Sequence, residues 1–106
     1  MFKIVRVIYT AKPEYVSHNK ENIERVMKDL RAANHSGIKY ATYIQEDGKT
    51  FMHFTHFENE EASKLLNSLP SFKQFQDELK ANGIEVPPKA DHLSLVDSSY
   101  DIFNKS

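Results

Sequence analysis

The stretch from Ile38 to Phe57, IKYATYIQEDGKTFMHFTHF, decides the fold. Two runs rich in β-branched and aromatic residues flank Asp47-Gly48. An Asp-Gly pair between such runs is a strong local hairpin signal, because glycine takes the positive φ that the turn needs. The pattern predicts strands over residues 38–45 and 50–57. A two-residue loop would then fix the register. Ile44 faces Phe51, Tyr43 faces Met52, Thr42 faces His53, Ala41 faces Phe54 and Tyr40 faces Thr55. Side chains alternate across a strand, so one face carries Ile38, Tyr40, Thr42, Ile44, Phe51, His53, Thr55 and Phe57. The other carries Lys39, Ala41, Tyr43, Met52, Phe54 and His56.

Outward from the hairpin the punctuation is regular. Ile4, Val5, Val7, Ile8 and Tyr9 predict a first strand over residues 3–10, apolar on both sides. Thr10-Ala-Lys-Pro-Glu14 reads as a turn. Ile23, Val26, Met27, Leu30 and Ala33 recur at helical spacing over residues 18–34, with Asn19 or Ser17 as candidate caps and Gly37 just past the end. Asn59 before Glu60 and Glu61 opens a second helix, with acids at the positive end of its dipole. Pro70 ends that helix, whose stripe is Ala62, Leu65, Leu66 and Leu69. Ser71 to Gln74 reads as a capping box that restarts a helix bearing Phe72, Phe75 and Leu79. Gly83 and Pro87-Pro88 read as a linker, residues 92–96 as a fourth strand, and residues 104–106 as a frayed end. The order β-α-β-β-α-β predicts a ferredoxin-like α+β domain, an antiparallel sheet with two helices on one face.

The chain has 106 residues, which predicts a single domain over 1–106. Fourteen Lys and Arg against fifteen Asp and Glu leave a formal charge of −1, so no bulk charge draws it to nucleic acid or to an anionic membrane. There is no cysteine, which removes disulfides, thiol chemistry and thiolate metal sites. No apolar run reaches the roughly 18 residues of a membrane span, and Arg6 interrupts the short apolar start. A cytoplasmic protein is expected.

Two helices cover only one face of a four-stranded sheet, yet both faces of this one are apolar. Exposing either would exceed the few hundred Å² of contiguous apolar surface usual in a monomer. The expected solution is a homodimer with two sheets packed face to face.

The element order resembles small stand-alone proteins of the dimeric α+β barrel superfamily. So do the segments from Thr10 to Glu14, from Gly37 to Tyr43, from Asp47 to Phe54 and from Leu69 to Phe75. Antibiotic-biosynthesis-type monooxygenases, haem-degrading monooxygenases and muconolactone isomerases belong to that group, with many members of no assigned activity. The resemblance covers nearly the whole chain and implies a ligand cavity inside each subunit, between helices and sheet. Departures from the enzymes are specific. The chain has no tryptophan, and Phe57 ends the third strand. The first strand has no asparagine, and Leu66 stands where haem-degrading members carry a ligating histidine. These argue against haem degradation.

His53 is the leading candidate for chemistry. It lies mid-strand opposite Thr42, beside Tyr40 and Thr55, on the face that the resemblance makes the cavity side. Histidine titrates near neutrality and serves as a general base. Tyr40 and Thr42 would then stabilise an oxyanion. Thr55, Phe51 and Phe57 are expected to line the ligand, a small aromatic or enolisable compound. Tyr9 and Asn19 could border a pocket mouth, or simply pack and cap. Arg6 could bind an anionic group, or pair with an acidic residue. His56 points to the opposite face, and His18, His35 and His92 fall near element ends. No set of residues has metal-ligand spacing and no glycine-rich nucleotide loop is present, so neither metal nor cofactor is expected.

Three function classes follow. The first is a cofactor-free monooxygenase or isomerase, and the second a non-catalytic binder using the same pocket. A distant third is RNA binding on the sheet, suggested by the aromatic run after Lys49 and opposed by the charge.

Overall fold

A computed structural model describes residues 2–103, so the expected fraying of residues 104–106 lies outside the described part. The elements are β1 (Lys3–Ala11), a 3₁₀ turn (Pro13–Tyr15), α1 (Val16–Ala33), β2 (Ile38–Ile44), β3 (Thr50–Phe57), α2 (Glu60–Ser68), α3 (Pro70–Glu78), a π turn (Leu79–Gly83) and β4 (Ile84–Leu93). The strands form one antiparallel sheet in the order β2-β3-β1-β4, with the helices on one side: a ferredoxin-like α+β fold.

The hairpin register is as expected, from Ile38 opposite Phe57 to Ile44 opposite Phe51. The loop, however, is longer than two residues. The Gln45 N–H donates to the Thr50 carbonyl, and the Gly48 N–H closes a turn on the Gln45 carbonyl. Gly48 has φ 74°, which explains the glycine. The Asp47 carboxylate accepts from the N–H groups of Lys49 and Thr50 and from the Thr50 hydroxyl. These bonds hold its pKa below the usual carboxylate range.

Helix boundaries show where local signals competed. Asn19 is no cap: α1 begins at Val16, and Asn19 sits in its second turn, fully buried. Asn34 at φ 50° ends the helix, a left-handed position asparagine tolerates, ahead of the glycine expected there. Ala33 lies exposed, outside the buried stripe. Asn59 does cap α2, its side chain accepting from the Ala62 N–H at 3.0 Å. Ser71 caps nothing. Leu69 is the cap residue of α3 and Pro70 fills the first helical position, where a missing N–H costs least. The Ser71 hydroxyl is buried without a partner among the described residues.

The fourth strand is the main correction. It spans Ile84–Leu93 and runs through Pro87-Pro88, while residues 94–96 lie outside any strand. Proline is tolerated there because β4 is an edge strand, paired only with β1. Ile8 pairs with Lys89 and Thr10 with Val86, so both prolines stand opposite Tyr9 alone, as a β-bulge.

Tyr9, Phe51, Phe57, Val26, Leu66, Phe75 and Leu79 form the core between sheet and helices. Tyr9 stacks on Phe51 at 5.5 Å and 15°, worth about 1 kcal/mol beyond simple burial. The opposite face carries Ile8, Met52 and Phe54 half-buried and Tyr43 59% exposed, with no helix over them. Beyond β4 the chain returns far enough for Phe103 to bury itself against Phe2.

Candidate functional site

His53 stands at the middle of β3, and the register brings three hydroxyls onto its ring. β1 sets Val7 opposite His53 and Tyr9 opposite Phe51, so Tyr9 comes diagonally over the imidazole on the helix side. The Tyr9 hydroxyl lies 2.8 Å from Nε2. From β2, the Tyr40 hydroxyl lies 2.6 Å and the Thr42 hydroxyl 3.1 Å from Nδ1. From α1, Asn19 Nδ2 donates to the Tyr9 hydroxyl at 2.9 Å. Two strands therefore converge on one imidazole, and α1 reaches it through Tyr9. Phe75 of α3 packs on its ring at 5.4 Å.

Burial sets the electrostatics. His53 is 4% exposed, and burial lowers its pKa to about 4, so the ring is neutral at pH 7. Burial raises the pKa of Tyr9 and of Tyr40, with Asn19 and Thr42 respectively offsetting part of the rise by hydrogen bonding. Both phenols keep their protons. Beside this cluster the Glu78 carboxylate of α3 collects Asn22, His18 and Gln74, which pulls its pKa down to about 2. That clasp holds α1, and with it Asn19, against α3.

A cavity of about 500 Å³ opens between the sheet and the α2–α3 pair. Tyr9, Tyr40, His53, Thr55 and Phe57 line it. Thr42, Phe51 and Asn19 do not. Thr42 stands behind the Tyr40 side of the imidazole, Phe51 is packed behind Tyr9, and Asn19 supports Tyr9 from the helix. Arg6 is on the far face of the sheet, where it pairs with Asp91 at 2.5 Å. That pair is about one-third exposed on each side, so it contributes at most about 1 kcal/mol. The alternating pattern of β1 carried this information: Arg6 and Tyr9 differ in parity and must face apart.

Sequence reasoning missed the helical wall: Leu66, Phe72, Phe75 and Leu79 supply apolar surface, with Ser63, Asn67 and Gln76 between them. It also missed Lys3 and Lys80, which are the charged residues of the lining; no carboxylate is among them. A larger open groove of about 910 Å³ lies between the end of α1, the β2 edge and residues Tyr100, Asp101 and Ile102, and Tyr40 borders both spaces. Among the described residues, no cluster of three or more His, Asp or Glu could hold a metal ion. No helix of the described residues is long and apolar enough to cross a membrane.

No protein-family model and no curated protein sequence matches the chain. Solved structures do. Rv0793 from Mycobacterium tuberculosis superposes with a TM-score of 0.76 at 16% identity, over 94% of this chain and 100% of its own. An antibiotic biosynthesis monooxygenase superposes at 0.72 and 12% identity, over 92% of this chain and 100% of its own. A point mutant of SnoaB, a cofactor-independent oxygenase from Streptomyces nogalater, superposes at 0.69 and 10% identity, over 94% of this chain and 98% of its own. At these identities the likeness is one of fold, and the protein has the ferredoxin-like α+β fold of the antibiotic-biosynthesis-monooxygenase-like proteins.

Proposed function

We propose that this protein binds a small aromatic or enolisable compound in the cavity beside His53, and that it does so as a homodimer. The observation that carries the reading is the cavity itself. Its apolar walls converge on the hydroxyls of Tyr9, Tyr40 and Thr55 around a neutral imidazole. Small-molecule sites have this form, about 300–1,000 Å³ of mostly apolar space with a few placed polar groups. The reaction class that suits it is a cofactor-free oxidation or isomerisation. The substrate gives its proton to solvent and becomes a resonance-stabilised anion, which tyrosine hydroxyls hold. In the oxidation, one atom of molecular oxygen then replaces the two hydrogens of a CH₂ as a carbonyl oxygen, and the other leaves with them as water. A cofactor-independent oxygenase among the structural neighbours supports that class.

One observation favours a second reading, ligand binding without turnover. Both ring nitrogens of His53 are already engaged by hydroxyls, so the imidazole is not a free base facing the cavity. The homodimer rests on the uncovered sheet face with Ala41, Tyr43, Met52 and Phe54 on it. Burying those side chains against a second copy removes an apolar patch that a lone subunit would expose.

The test is a binding and oxygen-uptake assay with anthrone- and quinol-type compounds on native protein and Tyr40→Phe. Binding with oxygen consumption, reduced at least tenfold in the variant, supports the enzyme. Binding without turnover selects the second reading. No binding of any such compound refutes both.

A further inference from the structure

The hydrogen bonds around His53 have a direction. A tyrosine hydroxyl has one proton, and its oxygen accepts. The Tyr9 oxygen has two side-chain partners among the described residues, Asn19 Nδ2 at 2.9 Å and His53 Nε2 at 2.8 Å. Asn19 Nδ2 can only donate, so the Tyr9 proton goes to Nε2. A neutral imidazole has one N–H, and with Nε2 accepting it must sit on Nδ1. Nδ1–H faces the Tyr40 oxygen at 2.6 Å and the Thr42 oxygen at 3.1 Å, and the nearer Tyr40 oxygen is its main acceptor. The Tyr40 proton then has no acceptor left on the ring. Off the ring, Tyr40 has the Thr42 hydroxyl beside it and the cavity that it borders, and a charged or carbonyl oxygen in the cavity is the stronger acceptor for its O–H.

We propose that Asn19 is a positioning residue that sets this chain, from Asn19 through Tyr9 and His53 to Tyr40, and so makes the cavity selective for a ligand oxygen that accepts a hydrogen bond. The class is an ionised phenol, an enolate or a quinone carbonyl, each a stronger acceptor than a neutral hydroxyl. The proposal rests on the reading of the cavity as a ligand site. A second observation points the same way: Lys3 and Lys80 line the cavity and no carboxylate does. His53, on this account, orients Tyr40 and does not itself withdraw a proton from the ligand. A direction imposed from α1, ten residues beyond Tyr9 in the chain, also explains why an asparagine is buried in a helix where an apolar residue would pack more cheaply.

The test has two independent arms. In the first, two-bond ¹H–¹⁵N correlation of the labelled native protein at pH 7.5 reads the His53 tautomer without any ligand. Nδ1–H is expected. Nε2–H in the native protein overturns the proposal. In Asn19→Asp, whose carboxylate accepts the Tyr9 proton, the tautomer is expected to reverse to Nε2–H, and an unchanged tautomer overturns Asn19 as its determinant. Should that variant not fold, Tyr9→Phe removes the proton aimed at Nε2, and the Nδ1–H preference is expected to fall. In the second arm 4-nitrophenol is the probe, since its ionised form absorbs in the visible. The bound probe is expected to be ionised at a pH lower by about one unit in native protein than in Tyr40→Phe, a tenfold change of the kind a lost hydrogen bond to a charged group produces. An equal pH in both overturns the selectivity. If the tautomer is as expected but the probe binds in neither form, the selectivity and the cavity reading fall together, and the chain of hydrogen bonds stands as a structural feature alone.

Discussion

His53 should make the stability of this protein depend on pH in a window that no other group in the cluster covers. Its pKa is lowered by burial from 6.5 to about 4 in the fold. In the unfolded chain it titrates near 6.5, so between the two values the unfolded state binds the extra proton. Stability therefore rises with pH across that window, is complete above about 6.5, and is lost as pH falls towards 4. A shift of that size corresponds to roughly 3 kcal/mol when fully expressed, and to about 2 kcal/mol at pH 5. Glu78 moves in the same sense but lower, between 4.5 and about 2, so it contributes little change above pH 5. The assay is urea unfolding at pH 7.5 and pH 5.0, at one fixed protein concentration because an oligomer's midpoint depends on it. The control is His53→Gln, which keeps polar reach and cannot charge. Native protein should lose about 1 M more in midpoint than the variant does between the two pH values, for a slope of about 1–3 kcal/mol per molar. Equal losses would refute the burial argument and mean that water reaches the imidazole.

Three further outcomes test the fold and the assembly. Gly83→Ala places a Cβ 2.4 Å from the buried ring of Tyr15, so a thermal melt should show a loss of about 1–3 kcal/mol, and an unchanged melting temperature would mean that the π turn shifts freely. Asn59→Ala removes the cap on α2 and should cost about 1 kcal/mol in urea unfolding, with Asn59→Ser recovering most of it. Met52→Lys puts a charge in the middle of the uncovered sheet face, and sedimentation should show half the native mass. Native protein that is already monomeric at micromolar concentration would refute the face-to-face dimer.

Legibility in the sequence followed the range of the determining interaction. The hairpin register was readable because Asp47-Gly48 and the alternation of Tyr40, Thr42, Phe51 and His53 are local signals that agree. That register alone placed Tyr40 and Thr42 on the imidazole. Tyr9 and Asn19 were harder. Their contact needs β1 beside β3 and α1 laid across both, and Asn19 near a helix start imitates a cap. β4 was misplaced because Pro87-Pro88 breaks strands in general, and only the strand order shows that this one lies at an edge. Ser71 satisfied a capping pattern, yet Pro70 had already claimed the first helical turn. The cavity's helical wall could not be told from ordinary core, since Phe72, Phe75 and Leu79 have the same spacing in either role.

The proline pair in β4 also makes the two borders of the sheet unequal. Pro87 and Pro88 offer no N–H to an incoming strand, and the bulge bends the backbone around them. β2, the other edge strand, carries no proline from Ile38 to Ile44. Stacking of subunits into a fibre by strand addition needs two receptive borders on every copy, one for each neighbour. Here the proline pair blunts one of them, so strand addition beyond a pair joined through β2 is hindered. The bulge opposite Tyr9 thus also works against open-ended strand addition at one edge of a sheet that has a bare apolar face.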